Sequence, residues 1–433
     1  MNYIKKSLFL LILLFLVFLS IGGKFHLFRS KPLNGFYVSM KKPDFTVTSW
    51  FSGSFQDSCN KYIKEKSSFH NELVMFYNQT DYSLFSLPHA QKIIVGKKGY
   101  LFSEEYITAY FGKNFSGKQF CDEKVRLLKK LQDLLWNQYH ILLVVIMAPD
   151  KGNFYPEYIP DRYFKHKRGI TNYGYYAKKC EQAGINMIDC NRWFLHVKDT
   201  SRYPLYPKTG IHWSSYGAVL AADSLLKYLH SKLDIPLPRM IVDRIETSNK
   251  ARNVDDDIAS TLNLIWQIPT PVYAYPDYHF TFDTTQKKPS ALFIGDSFYW
   301  NWYPDIIRNI FSNEEFWDYN MDVYPDFRIK PKAVSQMDVK ETINRQKIIV
   351  LMQVNGAKGN IGYGFIDLAL SVLDPAKGDE VKRIEDQIHR NPEWMTMVRQ
   401  KAAKNHISIE EQLKQDALYM IDLKQKGNTN INK

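Results

Sequence analysis

Beyond residue 23 the sequence has no second hydrophobic run of membrane-spanning length, which excludes a multi-pass membrane protein. Cysteines are few: Cys59, Cys121, Cys180 and Cys190 in 433 residues. They lack paired C-x-x-C spacing and have no histidine beside them, so no zinc site is expected. No other metal and no cofactor is called for. Four cysteines allow three disulfide pairings, and the sequence does not choose among them. Also missing is any Lys/Arg-rich run that would concentrate the formal charge of +12. Without such a run or a recognised nucleic-acid motif, nucleic acid is not an expected partner. A diffuse basic surface suits an anionic membrane or an acidic polymer.

What is present is apolar bulk. Hydrophobic residues make up 45% of the chain, enough for one large globular domain with appendages. Aromatics reach 15%, with Tyr and Trp recurring in loops. That usage is common where sugars are bound and equally common in an ordinary core.

The N-terminus opens with Lys5 and Lys6, followed by the charge-free stretch Ser7–Gly23, dominated by Leu, Phe and Ile. Its length lies between a cleaved signal core and a spanning helix, and "FLSIGGKF" offers no clear A-x-A site. The expectation is therefore an uncleaved signal-anchor over 1–23. Positive charge before it would place the rest of the chain outside the cytoplasm, on a single-pass protein.

Residues 24–90 are expected to hold a linker and a packing helix near 57–78. In 91–375 strand and helix patterns alternate. "KIIVGKKGYLF" (92–102) suggests strand, turn and strand, with Gly96 and Gly99 at the bend. "ILLVVIMAP" (141–149), "INMID" (185–189), "ALFI" (291–294) and "KIIVLMQVN" (347–355) look like buried strands. Helical patterns cover 119–138, 173–183, Tyr216–Lys232 and a stretch near Pro304–Phe311. This alternation predicts an α/β fold with a parallel sheet covered on both faces. Sites on such sheets gather beyond the carboxyl ends of the strands, where Pro149–Lys151, Gly295–Phe298 and Asn355 would fall. Residues 376–433 form a charged helical tail, in which "SIEE" (408–411) is a capping box.

The sharpest signal is "SALFIGDSFYWN" (290–301). An apolar strand runs straight into Gly295, Asp296 and Ser297 with a helix pattern behind them, the arrangement of a nucleophile elbow. The competing explanation is a plain turn in which Asp296 caps the next helix. A serine nucleophile needs a base within hydrogen-bond reach. Among 11 histidines, His212 stands out in "KTGIHWSSYGA" (208–218), with Trp213 placed to cover one side of its ring.

Four segments in order, "VGKKGYLF", "VVIMAPDKGNFYPEYIP" (144–160), "KTGIHWSSYGA" and "ALFIGDSF", resemble the SGNH-hydrolase-like domain of the alginate O-acetyltransferase family over roughly residues 50–375. Members of that family acetylate exopolysaccharides in the bacterial periplasm, so with the expected anchor the resemblance implies a single-pass protein of the bacterial inner membrane whose domain faces the periplasm. The resemblance implies a flavodoxin-like sheet and a catalytic serine and histidine at Ser297 and His212, with the histidine earlier in the chain, as in this family. It also implies a polysaccharide acceptor, and a multi-pass membrane-bound O-acyltransferase as acetyl supplier. The family's aspartate, two residues before the histidine, falls on Gly210, and glycine cannot orient an imidazole. Asp150 is the first substitute considered and Asp305 the second; otherwise a Ser–His dyad works alone or the site is inactive. Asn355 is a candidate oxyanion donor, Tyr303 a candidate neighbour of the serine, and Lys151 a candidate contact for an acidic or carbonyl-rich substrate. The expected activity is a serine-dependent O-acetyltransferase. A carbohydrate esterase and an inactive polysaccharide-binding or assembly protein are the alternatives.

Overall fold

The computed structural model describes residues 2–24, 31–35, 41–66, 69–165, 167–313, 315–324, 331–355, 359–405 and 407–425. These fall into two compact units. One comprises Met1–Val95 with Asp256–Pro269, and the other comprises Gly96–Asp255 with Thr270–Lys433.

In the first unit the helices are Asn2–Lys24, Val47–Phe51, Ser54–Lys66, His70–Phe85 and Asp257–Thr261. The single helix expected near 57–78 is thus two helices. The 256–269 excursion is tied to the N-terminal helices by polar contacts. Asn78 Nδ2 donates to the Leu262 carbonyl at 2.9 Å, and Gln79 Oε1 accepts from the Trp266 N–H at 3.0 Å.

The membrane expectation does not survive. Among the described residues no helix is long and apolar enough to cross a membrane, which overturns the signal-anchor and with it the single-pass inner-membrane, periplasm-facing location. The physical reason lies in the flanking charges. Asn2–Lys24 is helical, but its charge-free part, Ser7–Gly23, has only about 17 residues, or ~26 Å of helix. The hydrocarbon core is ~30 Å thick.

The second unit is built on a seven-stranded sheet: β1 Leu142–Ala148, β2 Met187–Asp189, β3 Ala291–Gly295, β4 Phe316–Asp318, β5 Asp322–Tyr324, β6 Lys332–Ala333 and β7 Ile348–Val354. Its order is β6-β5-β4-β3-β7-β1-β2. The pairs β4–β3, β3–β7, β7–β1 and β1–β2 are parallel, whereas β4–β5 and β5–β6 are antiparallel. The sheet is therefore mixed, not wholly parallel as expected. The antiparallel edge consists of strands of two or three residues, too short to show periodicity.

The central strands are apolar because both of their faces are covered. Along β1, Leu142, Val144, Ile146 and Ala148 pack into one core, which also holds helix Ser215–Lys232. Leu143, Val145 and Met147 pack into the other, under helices Lys118–Tyr139 and Phe365–Leu373. In β7, Ile348, Val350, Met352 and Val354 join the first core and Ile349 and Leu351 the second. The register Ile348↔Leu142 through Val354↔Ala148 brings the carboxyl ends of β1 and β7 level. Residues 150, 296 and 355 thus leave the sheet at one edge.

All four cysteines are free thiols. Burial raises Cys121, Cys180 and Cys190, Cys180 to about 12.

Candidate active site

Ser297 opens a 3₁₀ turn, Ser297–Asn301, directly after β3. A short turn stands where a helix pattern had been expected. Gly295 ends the strand because a Cβ there would lie 2.8 Å from the Met352 carbonyl. That close approach lets Asp296 reach across to β7. Asp296 is buried and caps the turn: Oδ1 accepts from Phe298 N–H at 3.1 Å, and Oδ2 accepts from Val354 N–H at 2.8 Å and from the Tyr363 hydroxyl at 2.7 Å. Burial pushes its carboxyl up, against the pull of these donors and of His212. Asp296 thus fixes the serine turn to the sheet.

His212 lies in the loop before helix Ser215–Lys232, whose N-cap is Ser214. Its Nε2 is 2.8 Å from Ser297 Oγ. The ring of Phe298, 4.9 Å away and edge-on, flanks the imidazole. Trp213, expected in that place, instead stacks on Trp302 at 5.3 Å and meets Phe298 at 5.2 Å. Trp302 Nε1 donates to the Ala218 carbonyl at 2.8 Å. One aromatic cluster thereby clamps the histidine loop to the serine turn across 85 residues of sequence.

The other expected site residues take different parts. Asp150 is buried as the N-cap of the short helix Lys151–Phe154, accepting from Asn153 N–H at 2.8 Å. Its carboxyl is pushed up to about 7 by burial, partly offset by the Asn153 and Gly152 N–H groups and Arg168. Asp305 is exposed after Pro304, where its backbone carbonyl accepts from Asn309. Tyr303 is half-buried and stacks parallel to Tyr299 at 6.0 Å. Lys151 was a candidate for contacting substrate, but it is fully buried. Its ammonium donates to the carbonyls of Leu101 (2.8 Å), Lys208 (3.1 Å) and Gly210, supporting the histidine loop from below. Asn355 is buried at the end of β7, its N–H on the Ala148 carbonyl and its side-chain polar atoms without a partner among the described residues. It directly follows Val354, whose N–H donates to Asp296.

Gly210 is glycine for a steric reason. A Cβ there would meet the Val254 carbonyl at 2.1 Å and Pro207 Cγ at 2.8 Å, because the segment 252–255 crosses directly over it. Sequence reasoning missed that segment, and also Tyr319 and Tyr363. Tyr319 is raised by burial and by the charges of Asp296 and Asp318, while Ser297, facing it, pulls the other way. No motif marks these residues; they meet the site only through folding.

A serine hydroxyl on a strand-end turn, hydrogen-bonded to a histidine at the carboxyl edge of an α/β sheet, is a pairing that serine hydrolases and acyltransferases use on several unrelated folds. Residues 93–299 match the family model described as the SGNH hydrolase-like domain of acetyltransferase AlgX. The matched span holds both His212 and Ser297 and ends before Asn355 and the tail. That match agrees with the resemblance seen in the motifs, to an SGNH-hydrolase-like domain of an O-acetyltransferase. Among solved structures, the O-acetyltransferase domain of Pseudomonas putida AlgJ is 17% identical, with 62% of this chain and 92% of that chain covered and a TM-score of 0.40. AlgX of Pseudomonas aeruginosa is 15% identical, with 65% and 67% covered and a TM-score of 0.42. PatB1 of Bacillus cereus is 12% identical, with 55% and 90% covered and a TM-score of 0.35. No curated protein sequence matches.

Proposed function

We propose that this protein transfers an acyl group, acetyl by family analogy, to a polysaccharide hydroxyl through Ser297 and His212. The observation that carries the proposal is the 2.8 Å contact between His212 Nε2 and Ser297 Oγ, which is hydrogen-bond reach for proton transfer. In the first half-reaction His212 takes the Ser297 proton as Oγ bonds to the acyl carbon. The same proton then goes to the departing donor group, leaving an acyl-serine. In the second, His212 takes the proton of the acceptor hydroxyl, whose oxygen attacks the acyl carbon, and returns it to Ser297 as the ester leaves. The Asn355 amide, at the end of β7, would donate to the carbonyl oxygen as it gains charge, a stabilisation ordinarily worth ~3 kcal/mol or more. By the same analogy a multi-pass membrane-bound O-acyltransferase would supply the donor. An esterase would use the same acyl-serine with water in place of the sugar.

The test is acetyl release from 4-nitrophenyl acetate, with mass spectrometry of the trapped protein and a polysaccharide added as competing acceptor. Ser297→Ala and His212→Ala should each lower turnover by about 10³-fold or more, and the double variant should lose little beyond either single one. An unchanged rate in Ser297→Ala, or an acetyl group found on another residue, would overturn the assignment. Partition of the acyl group towards sugar separates transferase from esterase.

A further inference from the structure

Strands β4 and β5 are joined by a turn in which two non-glycine residues take the left-handed backbone, Tyr319 at φ +49° and Asn320 at φ +54°. Asparagine tolerates that conformation, whereas for a tyrosine it is strained. Tyr363 is held the same way, at φ +53°. Both tyrosines are fastened to the strand end that carries the serine. Gly295 lies opposite Asp318 in the sheet, and the Gly295 carbonyl accepts from Tyr319 N–H at 2.7 Å. Tyr363 donates its hydroxyl to Asp296 Oδ2 at 2.7 Å. Asn320 Nδ2 donates to the Tyr363 carbonyl at 3.3 Å, and the two tyrosine rings meet edge-on at 5.2 Å. The strained turn thereby sets one side chain on the nucleophile: the Tyr319 phenol faces both the hydroxyl and the backbone N–H of Ser297. Tyr319 itself is 44% exposed, so its ring lies between the serine and solvent.

Resting on the acyl-transfer proposal above, we propose that Tyr319 is a specificity-determining residue of this site, a cover that keeps water from the acyl-serine and so reserves the acyl group for a sugar. The acyl carbon on Oγ must occupy the space that the phenol faces, and its oxygen draws on the Ser297 N–H. The phenol therefore swings aside when the acyl group arrives. Its backbone is pinned to Gly295, so the ring turns about its own side-chain bonds and stays over the acyl-serine. Water and a sugar hydroxyl attack that ester by the same chemistry. His212 takes the attacking proton and passes it to Ser297 Oγ as the bond between Oγ and the acyl carbon breaks. Water leaves with the acyl group as a free carboxylic acid, and the sugar leaves as its ester. Selection between them depends on access, which closing the site to water provides. A sugar ring can displace the cover and lay its apolar face against the phenol; a water molecule gains no such contact.

The test follows the acetyl group on Ser297 in the full chain. Wild type, Tyr319→Gly and Tyr319→Phe are acetylated with 4-nitrophenyl acetate, freed of donor, and followed by mass spectrometry in sugar-free buffer. Glycine suits the left-handed backbone, so Tyr319→Gly removes the cover and keeps the turn. It should form the adduct at least about threefold faster, because nothing has to swing aside, and lose it to water at least about tenfold faster. Tyr319→Phe, which keeps the ring, should hold the acetyl group at least about fivefold longer than the glycine variant. Equal adduct lifetimes in wild type and Tyr319→Gly would overturn the cover, as would a wild-type adduct that hydrolyses as fast as it forms. Slower adduct formation in both variants would make the phenol an oxyanion donor and equally overturn it. Full turnover in Ser297→Ala, with no adduct on Ser297 in wild type, sinks the acyl-transfer proposal itself, whereas an adduct of unchanged lifetime sinks only the cover.

Discussion

At position 210 one missing side chain and one crossing backbone are the same fact. The Val254 carbonyl stands 2.1 Å from where a Cβ would be, so no larger residue fits without moving the 252–255 segment. Restoring the family's aspartate by Gly210→Asp should therefore harm the site, because the added carboxyl would collide with a carbonyl and lie against the buried Asp255. Even Gly210→Ala is expected to cost about 1–3 kcal/mol through overpacking. It should also lower turnover more than KM, because the collision pushes on a loop whose histidine must stay 2.8 Å from Ser297. Thermal denaturation and steady-state kinetics of the alanine variant check both effects. A Gly210→Asp protein that gains activity would show that the 252–255 segment can yield.

The elements around the site divide by how they were specified. Strands β1, β3 and β7 were legible because apolar side chains are needed on both of their faces, leaving unbroken runs. The strand-end serine and the histidine loop were legible because each sits in a recognisable local pattern. The edge strands β4, β5 and β6 were not, since two or three residues become a strand only by pairing. Nor was Asp255, which reaches Ser215 across 40 residues with no motif at either end. Asp150 illustrates a residue legible in place but not in role: it was a candidate acid for His212, and it caps the Lys151–Phe154 helix. The cap has a pH signature. Its folded carboxyl is raised to about 7, whereas an unfolded aspartate titrates near ~3.9. Between those values the folded protein holds a proton that the unfolded chain has released. Stability therefore falls as pH rises from about 4 to about 7 and is flat above. Asp150→Asn keeps a capping oxygen and removes the titration. Relative to wild type it should gain on the order of 1–4 kcal/mol across that window, read as the difference between two denaturant series. Asp296 and Asp318, also raised, contribute to both proteins and cancel in that difference.

On the scale of the whole molecule, chemistry and bulk are separable. The two cores of the sheet carry the serine turn and the histidine loop, whereas helices Pro375–His389, Pro392–Asn405 and Ile409–Gln425 close around a cluster of their own. Val381, Ile384 and Ile388 on the first helix, Met395 and Val398 on the second, and Ala417 and Ile421 on the third form it. The spacing of three and four residues puts each set on one helix face. The Ser408–Glu411 capping box starts the last helix, with Ser408 N–H on Glu411 Oε2 at 2.7 Å and Glu411 N–H on Ser408 Oγ at 3.0 Å. None of the site residues lies in this tail. Ile384 is 2% exposed, so Ile384→Asp buries an unpaired charge among apolar side chains, a cost of several kcal/mol that a cluster of this size cannot absorb. Limited proteolysis should then cut within residues 376–425 at least about tenfold faster than in wild type, since cleavage follows the population of the opened form. Formation of the acetyl adduct on Ser297 should stay within about twofold. If the adduct is lost along with the tail, the three helices support the sheet edge that carries the site, and the separation argued from the two sets of cores fails.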